Sequence, residues 1–196
     1  MLEISGNEPA ILIIKPSSLG DIFHVFPAIE MLRRHWPGAG IDWLVRSEFI
    51  PALQFYPHIR RTIEFPRKQL GVKLSFPSAL KRLIKDLRAE EYDMVIDFQG
   101  LFRSAFFTRC ARTGNRIGFA SPREKISGLF YNHKLAIPAH SIHALEKNIQ
   151  LVCALTGEPF EVLKPELIPP PQLRKSVDAL LDGFGGKPEN TLGIIP

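Results

Sequence analysis

Short aliphatic runs alternate along the chain with segments whose apolar residues recur every three or four positions. The aliphatic runs predict buried strands at about 11–15, 41–45 and 93–97, and further strands are predicted at 60–65 and 116–119. The periodic segments predict helices at about 22–35, 47–55, 80–88, 101–112 and 142–155. Strands that alternate with helices favour right-handed crossovers and a parallel sheet. The pattern therefore predicts an α/β fold, a doubly wound domain with a mainly parallel sheet.

Three places interrupt this pattern. Pro27 lies inside the first helical segment and predicts either a kink or the true first turn of the helix. Residues 67–77 are predicted to form a basic loop, and residues 120–141 an irregular segment. The helix at 80–88 has a basic stripe opposite its apolar face, which is typical of a solvated surface.

The last forty residues differ in character from the rest. Pro165 and the run Pro169–Pro171 predict a stiff linker, followed by a helix at about 172–183. Asn190 to Pro196 then resembles the start of another buried strand. We therefore expect a first domain over residues 1–164. Residues 165–196 are expected to be a linker, a helix and the first strand of a truncated second domain.

Composition narrows the class of protein without assigning a function. The net charge of +5 favours an anionic partner. The start of the chain lacks the features of a signal peptide, and no apolar run approaches the length of a membrane span. We expect a cytoplasmic protein whose two cysteines, Cys110 and Cys153, are reduced. The histidines and cysteines show no metal-ligand spacing, so no metal site is predicted.

Chemistry is expected first at the turn after the opening strand, because ligands of open α/β sheets bind beyond the carboxyl ends of the strands. Asp21 is placed either to act as a general base or to bind free amides at a helix start. Lys15 is expected to pair with Asp21 or to touch a ligand. The turn could present hydroxyls and amides to an anion from Ser17, Ser18 and Gly20. Neither a dinucleotide fingerprint nor a P-loop is present in this turn.

A second polar turn follows the strand at 93–97. Asp97 is predicted to cap the next helix, and Gly100 lies in the turn itself. Gln99 and Arg103 are placed to reach the cleft and touch a sugar or a phosphate. These side chains are candidate ligand contacts beside those of the first turn.

Four stretches in order resemble the heptosyltransferases, the ADP-heptose–lipopolysaccharide glycosyltransferases. They are Lys15–His24, Asp97–Ala105, Pro122–Lys134 and His143–Lys147. The resemblance implies the GT-B architecture, in which two Rossmann-like domains face each other across a cleft. It implies that this chain is the acceptor-binding N-terminal part. The ADP-heptose donor would be bound mainly by a C-terminal domain, and no cofactor is expected.

The resemblance also implies roles for individual residues. Asp21 matches the proposed base of an inverting transfer to a lipopolysaccharide inner-core sugar. Anionic groups of the acceptor and lipid A would be bound by basic residues, namely Arg67, Lys68, Arg123 and Lys147. The alternative is that Lys68, Lys147 and Arg123 are isolated solvated charges, and it is favoured for the two lysines. His143, at a helix start, is a candidate substrate contact or a structural hydrogen-bond partner. The expected protein is a monomer, peripheral on the inner membrane, and inactive in transfer as this chain alone.

Two other functions are consistent with the same residues. A non-catalytic doubly wound module could bind an anionic ligand or a protein partner. Nucleic-acid binding rests only on the positive charge, because no interleaved aromatic motif accompanies it, and no nucleic-acid partner is expected.

Overall fold

The computed structural model of the chain describes residues 4, 6, 8–140 and 143–183. The predicted strand at 190–196 lies outside these residues. Six parallel strands form the main sheet, in the order β3-β2-β1-β5-β7-β8. In chain order they are β1 Ala10–Ile14, β2 Gly40–Arg46, β3 Arg61–Phe65, β5 Met94–Asp97, β7 Arg116–Phe119 and β8 His133–Leu135. The predicted parallel α/β sheet is confirmed.

Eight α-helices and two short 3-10 turns lie between and after the strands in the described residues. The helices are α1 Leu19–Phe23, α2 Phe26–His35, α3 Ile50–Leu53, α4 Arg67–Leu70, α5 Phe76–Leu87, α6 Phe102–Cys110, α7 Ala144–Thr156 and α8 Pro171–Gly183. The 3-10 turns are Ser47–Phe49 and Lys125–Leu129. A separate two-stranded pair joins β4, Glu91–Tyr92, to β6, Arg112–Thr113.

Helices cover both faces of the sheet, which explains why its central strands β1 and β5 are almost continuous apolar runs. Ile11 and Ile13 of β1 pack with residues of α2 and α7. Leu12 and Ile14 point the other way and pack with residues of α5 and α6. All four side chains are fully buried. Burying each one stabilises the fold by about 1.5–3 kcal/mol.

The first helical segment is two helices rather than one. Pro27 lies in the first turn of α2, where its missing amide hydrogen costs no hydrogen bond. The alternative of a kink at Pro27 is therefore wrong. The short gap at His24 and Val25 separates α1, which carries Asp21, from the long helix behind it.

Two segments predicted to be irregular contain regular structure. Residues 67–77 include the single turn α4, in which Leu70 N donates to Pro66 O at 3.0 Å. Residues 120–141 include a 3-10 turn and β8, which pairs parallel with β7. These pieces are too short for hydrophobic periodicity to detect, because one turn or three edge residues bury few side chains.

Two predicted helices are confirmed near the ends of the described chain. α7 ends at Gly157, which has a left-handed φ of +79° and so favours glycine. α8 has the predicted bounds within one residue, and none of its residues is buried. No helix in the described part of the chain is long and apolar enough to cross a membrane.

Candidate active site

The candidate site lies at the point of the sheet where the strand order reverses. β1 and β5 are neighbours at the centre, and the chain continues outward from them on opposite sides, to β2 and to β7. The turns after these two strands diverge and leave a crevice at the carboxyl edge, where ligands bind in open α/β sheets. Both turns that the sequence singled out border this crevice.

Lys15 connects the two turns. Its side chain is only 8% exposed, and Nζ lies 4.0 Å from Asp21 Oδ2, so the predicted ion pair is confirmed. Nζ also donates to the carbonyl oxygen of Phe98 at 3.3 Å. Burial lowers the pKa of Lys15, and the nearby carboxylates of Asp21 and Asp97 oppose that shift.

Asp21 lies in the first turn of α1 and keeps 37% of its side chain exposed. Its Oδ2 accepts hydrogen bonds from Ser18 N at 3.2 Å and from Ser18 Oγ at 3.1 Å. Burial would raise the pKa of Asp21, but the Ser18 amide, the Lys15 charge, the Ser18 hydroxyl and His24 together hold it below its usual value. Asp21 therefore does bind an amide at the start of the helix, as the structural alternative predicted. Its carboxylate is also ionised and open to the crevice.

Two clefts open along this edge. The first cleft has a volume of about 340 Å³ and contains Lys15 and Asp21. Among its other lining residues are three that the sequence also predicted, Gln99, Arg123 and Lys147. Sequence reasoning missed Ser121 and Asn148, which also line it. Ser121 lies in the segment after β7 that was predicted to be irregular, and Asn148 lies inside α7.

The second cleft has a volume of about 390 Å³ and lies beside the first. The predicted residues Ser17, Gln99, Arg67 and Arg103 line it. It also includes Arg46, which the sequence did not single out because it ends a strand without an obvious motif. Three guanidinium groups around one cleft form an arrangement suited to carboxylate or phosphate groups.

Gln99 lines both clefts and has an unused hydrogen-bonding atom. Its side-chain oxygen Oε1 is buried and accepts no hydrogen bond from any described residue. An unpaired buried acceptor costs free energy that a ligand donor can recover. A hydroxyl group bound between the two clefts would satisfy it.

A buried carboxylate fixes the turn that carries Gln99. Asp97 is fully buried, and its Oδ1 accepts hydrogen bonds from Gln99 N at 2.8 Å and Gly100 N at 3.1 Å. Its Oδ2 accepts from Ser104 Oγ at 2.7 Å and Tyr131 OH at 2.6 Å. Burial raises the pKa of Asp97 against the effect of these four donors.

The prediction that Asp97 caps the next helix is wrong, because Asp97 does not precede the helix directly. The residue that precedes α6 is Leu101, and Phe102 N donates to Glu124 Oε2 at 2.6 Å. Asp97 binds the amides of the turn instead, because the turn curls back over the end of β5. The turn is completed by Gly100, whose φ of +67° favours glycine.

Tyr131 reaches Asp97 only because Gly118 leaves room for its ring. A Cβ atom at position 118 would lie 2.4 Å from the Tyr131 ring, well inside any allowed contact. Sequence patterns gave no sign that Gly118 and Tyr131 are in contact, since Gly118 lies on β7 and Tyr131 in the loop before β8. The tertiary structure alone brings them together.

Several predicted site residues lie outside the two clefts. Ser18 and Gly20 are exposed at the start of α1, and Ser18 is bonded to Asp21. Gly100 is buried in its turn, and Lys68 lines a neighbouring cavity of about 350 Å³ that shares Arg67 with the second cleft. His143 precedes α7, where its Nδ1 accepts from Leu145 N at 3.3 Å. His143 thus serves as a helix cap, the structural alternative considered for it.

The described residues contain no group of three or more His, Cys, Asp or Glu side chains arranged for a metal ion. The side chains that line the site supply a small set of chemical groups. It comprises one ionised carboxylate, one buried ammonium group, an unpaired amide oxygen and several guanidinium groups.

Comparison with known proteins identifies the family of the chain. Residues 80–196 match the family model described as glycosyltransferase family 9 (heptosyltransferase). The chain is 34% identical over 152 residues to lipopolysaccharide heptosyltransferase 1 of Escherichia coli K12, covering 75% of this chain and 47% of that protein. It is also 34% identical over 156 residues to the protein of the same name from Pseudomonas aeruginosa PAO1, covering 76% and 43%.

A solved structure shares the fold. E. coli heptosyltransferase WaaC with ADP-2-deoxy-2-fluoro heptose superimposes with a TM-score of 0.72 and 31% identity, covering 80% of this chain and 51% of that one. The fold and the sequence match together define a Rossmann-like domain of the GT-B glycosyltransferases. The chain belongs to glycosyltransferase family 9, the heptosyltransferase family. It spans about half the length of the relatives that it matches.

Proposed function

We propose that the protein transfers heptose from ADP-heptose to an inner-core sugar of lipopolysaccharide with inversion at the anomeric carbon. Family membership and the names of the relatives support this class of reaction. The observation that carries the proposal is Asp21, an ionised and partly exposed carboxylate at the switch point of the sheet. The non-catalytic module and the nucleic-acid binder have no comparable support.

In the proposed mechanism Asp21 is the general base. Its carboxylate accepts the proton of the acceptor hydroxyl as that oxygen bonds to the anomeric carbon. The bond from that carbon to the diphosphate breaks at the same time, and ADP leaves with the electron pair. Lys15 holds Asp21 in place and keeps it ionised until the hydroxyl approaches.

The acceptor is proposed to occupy both clefts. Arg67 and Arg103 in the second cleft would bind its carboxylates or phosphates. Arg123 and Lys147 in the first cleft would do the same nearer to Asp21. Gln99 would accept a hydrogen bond from a sugar hydroxyl between them. Ser17 stays a candidate contact in the second cleft, and Lys68, Ser18 and Gly20 stay candidate contacts outside the two clefts.

We also propose a division of labour between two parts of the protein. Residues 1–164 would form the acceptor-binding domain. The sugar nucleotide would be held mainly by a second domain, to which residues 165–196 lead, and no cofactor would take part. The exposed linker and α8, which bury no residue against the first domain, are consistent with a connecting role.

The proposed substrates also indicate where in the cell the protein would act. A sugar nucleotide and a lipid-linked acceptor meet at the cytoplasmic face of the inner membrane. We propose that the protein works there as a peripheral monomer.

Transfer can be tested in a polypeptide that joins this chain to the remaining half of the E. coli relative. We expect it to move radiolabelled heptose from ADP-heptose to a lipid A acceptor bearing 3-deoxy-octulosonate. The 196-residue chain alone is the negative control. A correctly folded fusion that binds both substrates without transferring heptose would contradict the proposal.

Arg103 gives a second test, because it contacts the proposed acceptor and not the donor. In the same fusion, Arg103→Gln should raise the KM for the acceptor about tenfold, since a charge-assisted hydrogen bond contributes about 1.5–3 kcal/mol. The KM for ADP-heptose should stay unchanged. Arg109→Gln is the matched control, because Arg109 is also exposed on α6 but lines neither cleft. Equal effects of the two variants would remove Arg103 from the acceptor site.

A further inference from the structure

The positive charge of the protein is concentrated in one segment. Residues 67–88, which we call the basic segment, contain seven Lys and Arg residues and one acidic residue, a net charge of +6. The whole chain carries +5, so the remaining residues together carry −1. The segment covers α4, the loop after it and α5. The basic character of the protein is therefore a local feature.

These basic side chains face solvent and are not neutralised. All seven residues are exposed: Arg67, Lys68, Lys73, Lys81, Arg82, Lys85 and Arg88. None of them forms an ion pair within the part of the chain that the structure describes. Such a surface attracts anionic partners at low ionic strength.

The same segment presents large apolar side chains to solvent. Leu74 is 95% exposed, more than any other large apolar residue in the described chain. Val72 is 54% exposed and Phe76 is 44% exposed. The core of the domain does not need these side chains, because α5 packs through Ala79, Leu83 and Leu87 instead. Exposed apolar groups that lie among basic residues mark a contact surface.

We propose that the basic segment docks the protein on an anionic phospholipid surface. Lysine and arginine side chains attract anionic lipid headgroups, and adjacent apolar side chains enter the boundary between headgroups and acyl chains. A nucleic acid would use the charge but would favour aromatic stacking platforms over an exposed leucine and valine. A bilayer uses both properties of the segment at once.

Docking through the basic segment would also bring the candidate site close to the lipid surface. Arg67 is the first residue of the basic segment and lines the second cleft. A protein held by this segment therefore keeps that cleft next to the lipid surface. This last step rests on the proposed function, because it matters only for an acceptor that is attached to lipid. The docking itself does not depend on any transfer reaction.

Vesicle sedimentation of the purified chain tests the proposal. The probes are vesicles of phosphatidylethanolamine with phosphatidylglycerol, and vesicles of phosphatidylcholine alone. Neither contains a saccharide or a sugar nucleotide, so the result is independent of heptose transfer. We expect binding to the anionic vesicles only, and we expect added salt to weaken it.

Two variants separate charge from apolar contact. The triple variant Lys81→Gln, Arg82→Gln, Lys85→Gln should weaken binding about a hundredfold, since each basic residue near the surface contributes separately. Leu74→Ser should weaken it about tenfold by removing one inserted side chain. The control for charge is the triple variant Lys134→Gln, Arg174→Gln, Lys175→Gln, and the control for apolar contact is Leu180→Ser on α8. Both controls should bind like the unaltered chain.

Three outcomes would overturn the proposal. The first is the absence of binding to anionic vesicles by a chain whose circular dichroism is that of a folded protein. The second is equal binding to both kinds of vesicle, and the third is equal loss in the test and control variants. Self-association through Leu74, seen as a dimer in ultracentrifugation without lipid, would assign the segment to a protein interface instead.

Discussion

Asp21→Asn is expected to lower turnover about a thousandfold in the fusion with the E. coli half. General-base catalysis by a positioned side chain contributes about 10²–10⁴-fold, and an amide cannot take the proton. The amide oxygen of asparagine can still accept from Ser18, so the local fold should persist. Initial rates with saturating acceptor and donor measure the effect.

The control for this variant is Asp86→Asn, because Asp86 lies on α5 and lines neither cleft. It should keep the unaltered rate. The KM values for both substrates should change little in Asp21→Asn, because the base acts on the reacting hydroxyl in the transition state. A rate within threefold of the unaltered fusion would rule Asp21 out as the base.

The pH dependence follows from the lowered pKa of Asp21. The base must be ionised to work, and its pKa lies below the ordinary value of 3.8. Turnover limited by this group should therefore fall only below about pH 4 and stay level from about pH 5 to 8. The same shift stabilises the folded state above the ordinary pKa, and this stability is lost as the pH falls through the folded-state pKa.

Asp97→Ala is expected to lower the free energy of unfolding by about 4 kcal/mol, a large share of the stability of a small domain. The change removes the acceptor that four donors share. Tyr131 OH and the amides of Gln99 and Gly100 lose their hydrogen bonds to the carboxylate, whereas Ser104 Oγ can still donate to Leu101 O. Each unsatisfied buried group costs about 1–3 kcal/mol, although the costs are not additive. Urea denaturation followed by circular dichroism measures the loss.

A graded pair of variants checks this assignment. Ser104→Ala removes one donor and keeps the carboxylate, so it should cost only about 1 kcal/mol. Asp178→Ala, an exposed site on α8, should cost almost nothing. A loss below about 1 kcal/mol for Asp97→Ala would mean that water replaces Asp97 in the turn, contrary to its full burial.

Much of the candidate site could be anticipated from the two polar turns. Asp21, Lys15 and Gln99 follow buried strands, and parallel strands bring their carboxyl ends to one edge. The resemblance to heptosyltransferases supplied Arg67 and Arg123, which no periodicity indicates. The structure places both in the clefts, whereas it places His143 outside them as a helix cap.

The sequence by itself determined the order of strands and helices, because hydrophobic runs and helical periodicity are local properties of the chain. It also limited Pro27 to two possibilities, the first turn of a helix or a kink within one. The structure decided between them, because α2 begins at Phe26 and Pro27 therefore lies in its first turn. The short pieces α4 and β8 were beyond its reach, since one helical turn and three edge residues bury too few side chains to form a recognisable pattern.

Only the tertiary structure decided which residues share the site. Tyr131 meets Asp97 across 34 positions of the chain, through a space that Gly118 leaves open. Arg46 joins the second cleft from a different strand than its neighbours there. Local sequence patterns report which residues are buried and how the backbone repeats. Contacts between distant segments depend on how the helices pack on the sheet, and that packing is decided only when the whole domain folds.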